Sequence, residues 1–135
     1  MNTSTPFPQS YDATSLSAEQ AAVCFPIQQY FQGHADDDAA CMLRAFLPSA
    51  HIESMRESVF TSWPLALYCE RFKGVPAADE ANRRRRIDWI DITGSSACAK
   101  ITLEHGASTF TDYFVLLNTD EGWRIANKAF SAQVR

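Results

Sequence analysis

"FTDYFVLLNTDEGWRIANKAF", residues 110–130, decides how this chain folds. Apolar residues recur at every second position on both sides of Asn118 to Gly122, which is the period of a strand, and the polar centre supplies turn residues, so the stretch reads as a β-hairpin. Asp112, Tyr113, Asn127 and Lys128 interrupt it. With the turn through Asn118 to Gly122, Leu117 faces Trp123, Val115 faces Ile125 and Tyr113 faces Asn127 on one surface. Asp112 then lies opposite Lys128 on the other surface, beside Phe114, Leu116 and Phe130. The first surface is apolar with a polar end, as a pocket wall is. The second carries a cross-strand charge pair, a contribution of about 0.2–1 kcal/mol that fixes register. Tyr113, Trp123 and Asn127 are therefore expected to face a hollow, and Asp112 and Lys128 to hold the sheet; a one-residue slip exchanges the two sets.

Upstream of the hairpin the period is also two. Strands are expected near 85–93, 96–105, 108–118 and 122–131, separated by Thr93-Gly94-Ser95-Ser96, by Gly106-Ala107 and by the Asn118–Gly122 turn. Before residue 75 the period is helical. Ser17-Ala18-Glu19-Gln20 fits a capping box ahead of Val23, Ile27, Tyr30 and Phe31, a long first helix that Pro26 should bend or divide and Gly33 should close. Asp36-Asp37-Asp38 places carboxylates at the positive end of a second helix with Ala39, Met42, Leu43 and Phe46 as its stripe and Pro48 as its stop. "AHIES" reads as a short strand, and a third helix is expected from Ser62-Trp63-Pro64 through Leu65, Tyr68 and Phe72, with Gly74 as its left-handed exit. Helices first and a meander afterwards give an α+β domain, a cone-shaped curved antiparallel sheet wrapped round N-terminal helices. One domain over 16–135 follows a flexible polar lead-in over 1–15, which has neither the basic start nor the apolar run of a signal peptide.

The bulk figures agree. A hydrophobic fraction of 46% with 21% charged residues is that of a globular protein, and no apolar run reaches the ~20 residues of a membrane span. No membrane partner is expected, and a cytoplasmic location is the default. Cys24, Cys41, Cys69 and Cys98 are scattered among apolar neighbours and are expected as buried free thiols. His34, His51 and His105 have no ligand spacing, so neither a metal nor a cofactor is expected. Arg83 to Arg86 lead into "IDWIDIT" as a solvated strand end; with a net charge of −4 and no basic face beyond that run, nucleic acid is not an expected partner.

Tyr30-Phe31-Gln32-Gly33, Leu43-Arg44-Ala45-Phe46, Ile90-Asp91-Ile92-Thr93-Gly94, Ala97-Cys98-Ala99-Lys100, Phe110-Thr111-Asp112-Tyr113 and Gly122-Trp123-Arg124-Ile125-Ala126-Asn127-Lys128 occur in an order that resembles the nuclear transport factor 2-like superfamily, in its lumazine-binding branch close to SnoaL-like proteins. The resemblance covers roughly residues 20–131. It implies a small-molecule pocket in the mouth of the cone and a homodimer through the convex face of the sheet, where Phe114, Leu116 and Phe130 are expected. Ketosteroid isomerase shares this fold, and the resemblance places its oxyanion tyrosine on Tyr30, its catalytic aspartate on Ser54 and its second acid near Tyr113. Serine cannot act as that base, and Glu53 next to it points the other way on a strand.

The ligand-binding residues expected are Tyr30, His34, His51, Trp63, Tyr68, Phe72, Tyr113, Trp123 and Asn127. Tyr30, His51 and Tyr113 are the catalytic candidates, with His51 as proton carrier. The leading expectation is a homodimeric pocket domain for an apolar or aromatic metabolite. The alternative is a cofactor-free isomerase, cyclase or dehydratase in which Tyr30 or Tyr113 polarises an oxygen and His51 or Glu53 moves a proton.

Overall fold

The computed structural model describes residues 2–5 and 17–134. Its elements, in chain order, are β1 (Asn2–Thr5), α1 (Ala18–Asp36), α2 (Ala39–Ala45), β2 (His51–Arg56), β3 (Val59–Pro64), α3 (Leu65–Cys69), a short 3-10 turn (Glu80–Asn82), β4 (Arg84–Thr93), β5 (Ser96–His105), β6 (Ser108–Thr119) and β7 (Gly122–Val134). The strands form one sheet in the order β1-β4-β5-β6-β7-β2-β3. Every pairing is antiparallel except β2 with β7. Of the lead-in expected over 1–15, Asn2–Thr5 run along the backbone of β4; Met1 and residues 6–15 lie outside the described residues.

Helix α1 starts as its sequence dictates. Ser17 Oγ accepts from the Gln20 amide and the Gln20 side chain accepts from the Ser17 amide. It runs unbroken past Pro26 to Asp36, so the expected division there and the expected stop at Gly33 are both corrected. The left-handed position that ends the helix is Asp37, at φ 54°. Aspartate tolerates this conformation because its side chain finds local partners, here the amides of Lys73 and Val75. Gly33 instead permits close packing of α2: a Cβ there would stand 2.8 Å from Met42 Cε and 3.2 Å from Cys41 Cβ. Asp38 caps α2 through the Ala40 amide, and Cys41, Met42 and Ala45 form its buried side, while Leu43 is exposed. Of the four thiols, Cys24 and Cys41 are buried and Cys69 and Cys98 only half-buried.

The third helix is much shorter than its sequence suggests. Ser62, Trp63 and Pro64 belong to β3, which pairs with β2, and Leu65 and Tyr68 are the buried residues of the single turn that follows.

Two bulges curve the sheet and decide its faces. In the β6–β7 hairpin the turn is tight, with Thr119 paired to Gly122 and Thr119 Oγ1 donating to the Gly122 carbonyl. Leu116 therefore faces Ile125, and Asn118 faces Trp123. The register then shifts between Val115 and Leu116: Val115 pairs with Asn127, leaving Ala126 as the extra residue. A bulged residue inverts side-chain parity along its strand. On β7, accordingly, Trp123 and Ile125 point inward before the bulge, and Lys128 and Phe130 after it. A similar shift between Ile87 and Trp89 puts Ile90 and Ile92 on the same face as Ile87; Arg85, two residues before Ile87, shares that face and is no solvated strand end, its guanidinium holding both carboxylate oxygens of Glu80.

The inner face carries the core. Phe114 and Leu116 on β6, Ala97, Ala99, Ile101 and Leu103 on β5, and Ile90 and Ile92 on β4 close over Val23, Ile27 and Tyr30 of α1. The sequence grouped Phe114, Leu116 and Phe130 correctly on one face but assigned it outward; it is the face that packs on the helices, and Tyr113, Val115 and Leu117 are the exposed ones. Burying Phe114 and Leu116 in this core stabilises the fold by about 1.5–3 kcal/mol each relative to exposure, whereas Phe130 is half-buried.

Candidate functional site

A cavity of about 290 Å³ lies between the inner face of the sheet and the helices. Strand alternation selects most of its walls. On β2 Ile52, Ser54 and Arg56 point inward, on β3 Thr61 and Trp63, and on β5 Leu103 and then His105, which continues the run Ala97, Ala99, Ile101. Tyr30 and His34 enter from α1; Tyr68, Arg71 and Phe72 enter from α3 and the turns after it. Phe110, Lys128 and Phe130 complete it from the hairpin.

The floor is a buried polar chain. Lys128 Nζ donates to Tyr30 Oη at 2.7 Å, and that hydroxyl donates to Asp112 Oδ2 at 2.5 Å. The ammonium lies 3.8 Å from the same carboxylate oxygen, with side-chain exposures of 6% and 0% for Lys128 and Asp112. Such burial tolerates charge only when it is paired. The rings of Tyr30, Tyr68 and Phe130 surround the ammonium at 4.9, 5.2 and 4.8 Å, a cation–π cage that further compensates its lost hydration. Burial pushes the Asp112 carboxyl above the usual carboxylate range, with Lys128 opposing. Burial and then the Asp112 charge push the Tyr30 phenol well above its ordinary value. Tyr30 is thus a neutral hydroxyl that donates its one hydrogen bond to Asp112.

The two histidines of the cavity, His34 and His105, are held neutral as well. His34, in edge contact with Tyr30 at 4.7 Å, is held well below the usual imidazole range by burial, then by Lys128. Its Nε2 lies 3.4 Å from Tyr68 Oη. His105 is lowered to about 4 by burial and by Arg85 and Arg83. Its Nε2 accepts from Arg85 Nε at 3.0 Å, so that nitrogen carries no proton.

Of the residues expected from sequence, the cavity gathers Tyr30, His34, Trp63, Tyr68 and Phe72. The others are placed elsewhere. His51 is exposed, with its ring against the Ser49 carbonyl and its amide donating to Asn127 Oδ1. Asn127 Nδ2 donates to Glu53 Oε1 and Ser62 Oγ to Glu53 Oε2, so His51, Glu53 and Asn127 stitch β2 to its neighbours on the outer face. Tyr113 is 48% exposed on that outer face, and Trp123 is core away from the cavity. The expected split of the quartet is inverted: Asp112 and Lys128 face inward, Tyr113 and Asn127 outward. Sequence reasoning passed over His105, Arg56, Arg71, Phe110 and Phe130. The alternation on β5 was the signal for His105, and the placement of Asp112 with Phe114 and Leu116 was the signal for the floor.

This architecture can be set beside known proteins. The model of the family described as Putative lumazine-binding matches residues 18–131. The chain belongs to that family. Its fold is nuclear transport factor 2-like, an α+β cone with an unclosed sheet. An NTF2-like protein of unknown function from Shewanella baltica OS155 superposes with a TM-score of 0.77 at 23% identity, over 93% of this chain and 100% of that one. One from Methylobacillus flagellatus KT, also of unknown function, gives 0.75 at 25% identity over 89% and 97%. A ketosteroid isomerase-like protein from Erwinia carotovora atroseptica gives 0.65 at 12% identity over 89% and 100%. No curated protein matches the chain. Within the family's frame Ser54 does line the cavity, and Asp112, one residue from the position expected for the second acid, is the group that meets Tyr30. Among the described residues no helix is long and apolar enough to cross a membrane.

Proposed function

We propose that this chain is a small-molecule-binding domain whose ligand, an apolar or aromatic metabolite, occupies the cavity above Tyr30 and Lys128. One observation carries the reading: the cavity is walled by aromatic rings from separate elements, Trp63, Tyr68, Phe72, Phe110 and Phe130, above a floor in which the Lys128 and Asp112 charges are paired through Tyr30. Stacking walls and a volume near the lower end of ligand sites, roughly 300–1,000 Å³, suit a compact planar molecule of one or two rings. A fused heteroaromatic such as the lumazine of the family's description has that shape.

The test is thermal unfolding and calorimetry with lumazine, a pterin, a steroid and a naphthalene derivative. At least one should raise the melting temperature. Ser54→Phe, which fills the cavity from β2, should cut that compound's affinity by about tenfold or more while the protein stays folded, since an added ring claims the volume the ligand needs. Undiminished binding to the variant would place the compound elsewhere.

An enzymatic reading, as a cofactor-free isomerase, cyclase or dehydratase, would use the Tyr30 hydroxyl at the cavity floor to polarise an oxygen, but its one proton is engaged by Asp112. The bases it called on, His51 and Glu53, lie on the outer face, and Tyr113 is outside the cavity. The binding reading therefore has more support.

A homodimer through the convex face belongs to the same reading, now built on Tyr113, Val115 and Leu117, three exposed apolar residues on a central strand. A two-fold interface uses one self-complementary patch on each copy. Sedimentation should give about twice the 15.1 kDa chain mass, and Val115→Asp should return it to the chain mass; a wild-type monomer at micromolar concentration ends the idea. A cytoplasmic location, where free thiols such as Cys98 persist, completes this proposal.

A further inference from the structure

The floor of the cavity is neutral overall, but its mouth is not. On β2 the inward column passes from apolar Ile52 through Ser54 to Arg56, which is exposed at the strand end. Across the opening, the Arg71 guanidinium lies over the Trp63 ring at 4.8 Å. Stacking of this kind fixes the plane of the guanidinium and leaves its N–H edge free to meet a planar anion. Neither arginine has a carboxylate partner among the described residues.

The carboxylates in and below the cavity are turned to other partners. Asp37, the one carboxylate lining the cavity, accepts from the Lys73 and Val75 amides. Asp112 serves Lys128 and Tyr30 below. Two guanidiniums without a carboxylate in ion-pair distance thus rim an aromatic cavity whose lining holds one carboxylate, Asp37. An unpaired cation pair at a low-dielectric opening selects anions.

Resting on the pocket reading above, we propose that the ligand is an aromatic carboxylate, its ring among Trp63, Phe72 and Phe130 and its carboxylate held at the mouth by Arg56 and Arg71. Arginine suits this task because its fork matches the two oxygens of a carboxylate.

The experiment compares 2-naphthoate with 2-naphthamide, which has the same ring and no charge, by calorimetry on the wild type and on R56Q, R71Q and R71K. The acid should bind about tenfold or more tighter than the amide at low salt, and the gap should narrow as salt screens the exposed arginines. R56Q and R71Q should each weaken the acid by about fivefold or more and change the amide by less than about twofold; R71K, which keeps charge but loses the planar stack, should fall between. Equal binding of acid and amide, or an acid preference that survives both glutamine variants, overturns the carboxylate assignment and leaves the pocket reading standing. If neither probe binds and lumazine, pterin and steroid also fail, both ideas are overturned together. Circular dichroism of the variants separates lost binding from lost fold.

Discussion

Asp112→Asn should lower the melting temperature by roughly 10–20 °C, the largest effect expected of any near-isosteric change in this chain. The substitution keeps the shape of the side chain but leaves the Lys128 ammonium, 6% exposed, with only neutral partners. Breaking a buried ion pair from one side costs about 3–5 kcal/mol, and for a domain of this size each kcal/mol moves the midpoint by roughly 3–5 °C. The ring cage round Nζ places the result towards the lower end of that range. The control is Asp112→Leu with Lys128→Met and Tyr30→Phe, which removes both charges and the hydroxyl between them and replaces them with apolar volume. That triple variant should recover to within about 1–2 kcal/mol of the parent, because exchange of a buried pair for well-packed apolar groups is near neutral. Thermal and urea unfolding measure both. A single variant that loses less than about 1 kcal/mol would mean that water reaches the pair and that the floor is not the sealed network described above.

Phe114→Ala should cost about 3–5 kcal/mol, whereas Tyr113→Ala, one residue away, should cost less than about 1 kcal/mol in dilute solution. Phe114 is 1% exposed and meets the Tyr30 ring edge-on at 5.0 Å and the Phe46 ring at 6.3 Å, so its removal opens a void at the centre of the core. Tyr113 stands on the outer face with only the Lys100 ammonium over its ring, at 5.9 Å. The contrast tests which face of β6 is inside, since the register read from the sequence demands the reverse order. Similar costs for the two would indicate that the strand is not held in a single register.

The difference between those registers comes down to Ala126. Up to Ile125 the alternation on β7 can be read directly, and from Lys128 onward it can be read again, but the two halves are out of phase because Ala126 occupies the bulge. An alanine there has no signature: the parity change is fixed by how β7 meets both β6 and the parallel strand β2, which begins its pairing at Lys128. Asn127 was misplaced for this reason; His51 alternates with the inward column Ile52, Ser54 and Arg56 of β2, and Trp123 does face inward but packs in the core away from the cavity. Tyr30, Tyr68 and Phe72 were legible because helical spacing and apolar neighbours leave them one direction to face. Strand β3 was hidden differently: Val59 and Phe60 are exposed and Thr61 and Ser62 are half-buried polar residues, so no hydrophobic alternation announces it.

What the sequence determined by itself was local: the capped start of α1 at Ser17, the strand boundaries of the meander, the α+β order of elements, and the grouping of Asp112 with Phe114 and Leu116 on one face. These follow from backbone hydrogen bonding and side-chain period within a few residues of each other. Only the tertiary structure decided that this face turns inward, that Asp112, Lys128 and Tyr30 meet across 82 and 98 positions of chain, and that Arg56 and Arg71 share one opening. Those outcomes depend on the total apolar area that each sheet face can bury against α1 and on the two bulges that bend the sheet to do so, quantities that no single segment contains.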